Sequence, residues 1–229
     1  MPLYTIESPN TIPRLTNARI MADTSYMMAL ADENDQFHSI VEPFHAAVHS
    51  QGANFSINFV VRQELMRLGR RRQLIAAIIE LGSMDPVYDV RYRNVMRVKQ
   101  RGKALKDCPI PQFCESIYKT HVRQDDVHRL TALIAMDIWE EVQRFEGLAN
   151  ANYVRGDGKV SWDEAGNLIE TGCLPPNDAM IANFALAFKH SAIVTTDCDY
   201  VRVSSLIDVY MPRSVAIPCS LYDPAIDMP

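Results

Sequence analysis

The chain has 229 residues, 48% of them hydrophobic, and a net charge of -5, enough apolar material for one large domain or a core domain carrying an insertion. No stretch approaches the ~20 uninterrupted apolar residues of a membrane span, and Met1 to Glu7 lacks the basic start and apolar run of a signal peptide, so a cytoplasmic protein is expected. Five cysteines, odd in number and without CxxC spacing, exclude a disulfide framework or a cysteine-built zinc site as the organising feature.

In chain order, residues 1–17 hold three prolines and little periodicity, which predicts an extended arm packed on the body rather than an element of its own. Ala18 to Ala22 reads as a short buried strand, and Asp23, Thr24 and Ser25 offer capping side chains for a helix through about Ala31. After a turn at Asp32 to Asp35, a helical stretch runs from about Gln36 to Ser50; Pro43 either kinks it or divides it into a helix pair. Asn54 to Phe59 alternates like a strand, and Val60 to Leu81 is helical in pattern through Val61, Leu65, Leu68, Leu74 and Ile78, with Glu64 in its first turn.

The middle of the chain predicts a helical insertion at about 83–171, with strong periodicity from Gln124 to Gly147. Within it, Gly156 to Glu164 imitates half of a calcium loop, but Tyr153 and Arg155 stand where ligand acids are needed, so a turn or hairpin is expected instead. Asn177 to His190 is a helix with Asn177 as its cap, and Ser191 to Thr196 is a strand ending at Asp197. Residues 211–229 form a tail. Buried strands alternating with helices predict an α/β fold with a mainly parallel central sheet, whose carboxyl edge is the usual place for a site.

The candidate chemistry lies in four acidic stations: Asp23, Glu64, Asp178, and Asp197 with Asp199. Taken singly, each suits a helix cap, a first-turn acid or a turn. Taken together they form an oxygen-rich set of the kind that holds hard divalent cations. Cys198, between two of these acids, is expected to face away, because thiolates suit softer metals. Two basic clusters flank the acids: Arg67, Arg70, Arg71 and Arg72, and the acid-free run 91–106 containing Arg97, Lys99 and Arg101. Each can be a solvated helix face, but around an acidic centre they suit a polyanionic substrate despite the negative net charge. His45 and His49 at i, i+4, with His38 nearby, give a competing metal reading, weakened by the absence of a His-Glu-x-x-His motif.

The order of the acids, and above all Pro176-Asn177-Asp178-Ala179 followed by Ile193-Val194-Thr195-Thr196-Asp197-Cys198-Asp199-Tyr200, resembles the PIN-domain family of metal-dependent ribonucleases, which includes the VapC-type toxins. The resemblance covers residues 18–82 and 173–210. It implies a three-layer α/β/α PIN-like domain over 18–210, and Mg2+ or Mn2+ held by Asp23, Glu64, Asp178 and Asp197. Asp199 would be a supporting acid and Thr195 a hydrogen-bonding partner. It further implies endoribonuclease activity on RNA and, in some members, homodimerisation or an inhibitory protein partner; the charge pattern itself makes Arg67, Arg97, Lys99 and Arg101 candidate contacts to the RNA backbone. A toxin-type enzyme and an RNA-processing enzyme would share this site. The alternatives are a DNA or flap-type nuclease and a noncatalytic PIN-like protein-interaction module.

Overall fold

The structure, a computed structural model, describes residues 3–7, 15–68, 138–140, 142–156 and 158–220. Two compact units are distinguished: Met1–Glu64 with Gln143–Pro229, and Leu65–Val142. The rest of the fold and the site belong to the first. Much of the expected insertion, including Arg97, Lys99 and Arg101, lies outside the described residues.

Six strands, β1 (Leu3–Thr5), β2 (Arg19–Ala22), β3 (Asn54–Ile57), β4 (Asn152–Tyr153), β5 (Ala192–Val194) and β6 (Asp208–Met211), form one sheet in the order β1-β6-β5-β2-β3-β4. Every pairing is parallel. Successive side chains of a strand point to opposite faces, and Ile20, Met21, Ala22, Ala192, Ile193, Val194, Val209, Tyr210 and Met211 are all buried. Both faces are therefore covered, the condition for a parallel sheet in a layered α/β fold. No helix among the described residues is long and apolar enough to cross a membrane.

The elements α1 (Thr24–Ala31) and α2 (His38–Ser50) pack on each other between β2 and β3. In α2, Val41, Phe44, His45 and Val48 recur at helical spacing and are buried, while Pro43 lies on the exposed side. One helix, not a pair, therefore spans Pro43; the ring removes a donor where solvent is at hand. Gly52 closes the turn into β3 at φ +85°, where a Cβ would lie 2.6 Å from Asn17 Oδ1.

Asn58 ends β3 and caps the helical residues 59–68 (α3), its Oδ1 accepting from the amides of Val60 at 3.0 Å and Val61 at 3.1 Å. The helix thus begins one residue before Val60, and Glu64 sits in its second turn rather than its first. Residues 142–148 (α4) are helical, and Arg62 forms a two-pronged bond to Glu146, at 2.5 and 2.9 Å, with its guanidinium 3.6 Å from the Tyr153 ring centroid. That cluster joins α3, α4 and β4.

In the place of the imitation calcium loop, Lys159 N donates to Gly156 O, a turn with Gly158 at φ +72°, and then α5 (Trp162–Gly172) begins. The sequence reading did not foresee α5, although Ser161 and Glu164 carry the spacing of a capping box; Ser161 Oγ accepts from Glu164 N at 3.2 Å. It packs on α6 (Pro176–Ala187), which Pro175 caps without a side-chain bond. Asn177 is therefore not the cap that was expected; Pro176 at the first helical position displaces it inward. After β5, a 3-10 helix (Cys198–Val203) leads to β6, and α7 (Arg213–Ser220) follows.

Three sheet elements were not foreseen, and the first, β4, lies within the expected helical insertion. β6 was not anticipated, and the N-terminal arm contributes β1, held by Ile6 N donating to Met211 O and by Tyr4 stacked on Tyr210 with ring centroids 4.7 Å apart. Such an edge strand is specified by a partner two hundred residues away, not by its own pattern.

Candidate metal centre

The strand order fixes where a site belongs. From β2 the chain moves outward to β3 and β4, then returns to the other side of β2 for β5 and β6. The reversal between β2 and β5 opens a crevice at their carboxyl ends. Asp23 follows β2 directly, and Thr195 and Asp197 follow β5.

Asp23 is the most elaborately held of the acids. It is 3% exposed, and its backbone amide donates to Val194 O at 3.0 Å, tying it to β5. As the cap of α1, it accepts at Oδ2 from Ser25 N at 3.2 Å, Ser25 Oγ at 2.6 Å and Thr195 Oγ1 at 2.9 Å. Its Oδ1 accepts from the Tyr200 hydroxyl at 3.1 Å. Burial raises its pKa, opposed by the bonds from Ser25 and Thr195 and reinforced by the charge of Glu64.

Thr195 links two acids. Its hydroxyl donates to Asp23 and accepts from Asp197 N at 2.9 Å, while Ser25 Oγ accepts from Thr196 N at 2.9 Å. Asp197 caps the 3-10 helix by accepting from Asp199 N at 3.0 Å. Arg202 pairs with Asp199 at 3.3 Å and donates to Cys173 O at 2.6 Å. Cys198 does not turn away as expected: its Sγ and carboxylate oxygens of Asp197 and Asp199 lie within 4.8 Å of one another, and the thiol is free and exposed. The tight 3-10 turn crowds successive side chains to one side.

Glu64 arrives from α3 and is held at both oxygens. The Thr24 hydroxyl donates to Oε2 and the Asn177 amide donates to Oε1 at 2.7 Å. Asp178, beside Asn177 in the first turn of α6, lies 3.5 Å from the Tyr200 hydroxyl at its Oδ1. Burial, then the charges of Asp23, Asp197, Glu64 and Asp199, push its carboxyl up to about 8. That list of neighbours is the whole acidic set.

The structure thus gathers Asp23, Glu64, Asp178, Asp197, Asp199 and Thr195 at one edge, from four elements. Asp23 and Asp178 meet through Tyr200, not directly. Among the described residues no Lys or Arg pairs with Asp23, Glu64, Asp178 or Asp197. Arg67 is exposed on the second unit. Thr24, Asn177, Tyr200 and Arg202 were not anticipated as site residues; Thr24 and Ser25 were read only as helix-capping groups, and Tyr200 only as the end of a motif.

The donor set suits a hard divalent cation. The carboxylates supply negative oxygens that repel one another when no cation is bound, and hydroxyls and amides fix their orientation from behind, as outer partners of metal ligands do. In comparisons with known proteins, no family model, no curated sequence and no solved structure matches the chain.

Proposed function

We propose that the protein is a metal-dependent endoribonuclease of PIN-like type, hydrolysing RNA phosphodiester bonds with Mg2+ or Mn2+ held by Asp23, Glu64, Asp178 and Asp197. The observation that carries this reading is the convergence of four carboxylates on buried Asp23 at the reversal point of a parallel sheet, with no Lys or Arg among the described residues paired to Asp23, Glu64, Asp178 or Asp197. Capping roles for each acid predict no such meeting. An unneutralised cluster of this kind is costly to fold and is relieved by a cation.

When bound, the cation supplies a Lewis acid that lowers the pKa of a coordinated water and stabilises charge on the phosphate. The chain's own groups would do the rest. Thr195 and Ser25 hold Asp23 in one orientation, Thr24 and Asn177 do so for Glu64, and Asp199, drawn aside by Arg202, stays at the rim as a supporting acid. Toxin-type and RNA-processing roles use this same chemistry.

The test is cleavage of a labelled single-stranded RNA and of the DNA of identical sequence, with Mn2+ or Mg2+ added. The reading expects cleavage of RNA, loss of it with EDTA, and loss of it in Asp197→Asn. Preferential cutting of DNA would transfer the site to DNA processing. Failure to cut either, with metal-binding also absent, would leave a noncatalytic module.

A further inference from the structure

We infer that Tyr200 is a positioning residue that sets the affinity of the acidic site for its divalent cation, a deepening that rests on the metal-site reading above. Tyr200 is 0% exposed, and its hydroxyl stands between two candidate ligands, 3.1 Å from Asp23 Oδ1 and 3.5 Å from Asp178 Oδ1. Among the described residues no other side chain hydrogen-bonds to both.

The oxygen it reaches on Asp23 is the one that matters. Oδ2 already accepts from Ser25 N, Ser25 Oγ and Thr195 Oγ1, which exceeds its two lone pairs. Tyr200 is the one side-chain donor to Oδ1 among the described residues, so Oδ1 is the less crowded oxygen of Asp23 and the one with capacity left for a cation. A phenol carries one hydrogen, which goes to the nearer acceptor, and its rigid ring is anchored in the core. The hydroxyl therefore fixes the rotation of the Asp23 carboxylate, and its oxygen stands between that carboxylate and half-buried Asp178. Without it, Oδ1 of Asp23 loses the side-chain donor that orients it, and the cation itself must organise that ligand.

The role differs from simple packing. A tyrosine kept only to fill the core would lose stability as phenylalanine but leave cation affinity alone, because the ring is unchanged. A positioning hydroxyl weakens cation binding when removed, and outer partners of metal ligands commonly do so by 10- to 100-fold.

Tyr200→Phe is therefore titrated with MnCl2 beside the native chain by calorimetry, with the melting curve of each metal-free protein recorded. The expected result is a Kd for Mn2+ raised about tenfold, with the Mn2+ concentration for half-maximal RNA cleavage moved by the same factor. An unchanged Kd, whatever the melting temperature does, overturns the proposal. Absence of Mn2+ binding by the native chain overturns the metal-site reading itself and this inference with it; native binding with an unchanged variant overturns only the latter. Should Tyr200→Phe not fold, the native protein labelled at tyrosine Cζ decides: Mg2+ is expected to shift one tyrosine resonance, and a spectrum with none shifted counts as refutation.

Discussion

Two places in the first unit collect ionisable side chains, and they are organised in opposite ways. At the carboxyl edge, four acids gather around Asp23, and burial with mutual repulsion raises the pKa of Asp178 to about 8. On the α2 side, a cavity of about 460 Å3 is lined by Leu30, Glu33, His38, Glu42, His45 and Arg144, yet its buried member is fully partnered. His45 meets the Tyr26 hydroxyl at 3.1 Å and a backbone hydrogen bond at Ala149, and its ring lies against Phe55 with centroids 4.2 Å apart. Burial and then the neighbouring His49 push it down to about 4, so it is neutral. His38 is likewise engaged, its Nδ1 donating to Ala29 O at 2.9 Å. The difference separates structure from chemistry: a buried polar group with partners belongs to the core, whereas like charges facing one another form the kind of cluster that a bound cation would relieve. The histidine-based metal reading loses its support here.

The comparison is broken most forcefully by exchanging the consequences of mutation. Asp23→Asn or Asp197→Asn should lower RNA cleavage by at least about a hundredfold, the upper end for outer partners of metal ligands, while the metal-free protein stays folded by circular dichroism. His45→Gln should do the reverse, lowering the melting temperature with cleavage intact. A cleavage defect in His45→Gln would erase the distinction.

Adding Mn2+ should stabilise the protein through the acidic edge. A hundredfold excess over Kd is worth about 2.7 kcal/mol, or roughly 5–10 °C in a chain of this size. The gain should grow with pH. Asp178, raised from 3.8 to about 8, keeps its proton in the folded state where the unfolded chain has lost it, so its contribution falls as pH rises from about 4 to 8, and the cation offsets that loss. Melting curves at pH 6 and pH 8 check this; an equal gain at both would be evidence against Asp178 as a ligand.

Acid should act away from the acidic edge, at His45 in the α2-side region and at His190 just before β5. His45 and His190 are both lowered from 6.5 to about 4, so they add stability above pH 6.5 that is lost as pH falls towards 4. Each accounts for about 3 kcal/mol at an order-of-magnitude level. Asp178 gains stability over the same range, so the two chains are compared: between pH 7 and 4 the denaturant midpoint of the native chain should lose more, or gain less, than that of His45→Gln, and equal changes would contradict a neutral, buried His45.

Part of the acidic cluster was readable in the sequence because two of its acids come just after strands. Asp23 after Ile20-Met21-Ala22 and Asp197 after Ile193-Val194 occupy short local patterns, and a parallel sheet sends such positions to one edge. The groups that hold them were not readable. Tyr200 reaches Asp23 across 177 residues and Asn177 reaches Glu64 across 113, so nothing in their neighbourhoods announces the bond. In the fold, the periodic α2 and the buried strands were legible, whereas β1 and β4, of three and two residues, owe their existence to neighbours in the sheet. For α5 the signal was present in Ser161 and Glu164, and the likeness to a calcium loop obscured it.

The smallest expected effects lie in those holding groups. Thr24→Val and Asn177→Ala should each reduce cleavage about tenfold, and Asn177→Ala, at an exposed position, should leave the metal-free melting temperature nearly unchanged. Steady-state rates at fixed Mn2+ check this, and wild-type rates in both would mean that Glu64 needs no holding.

The most direct measurement is a crystal of the protein soaked in MnCl2 and recorded at the manganese edge. An anomalous peak among the carboxylates of Asp23, Glu64, Asp178 and Asp197 is the predicted result; a well-ordered acidic edge with no peak there would contradict the account.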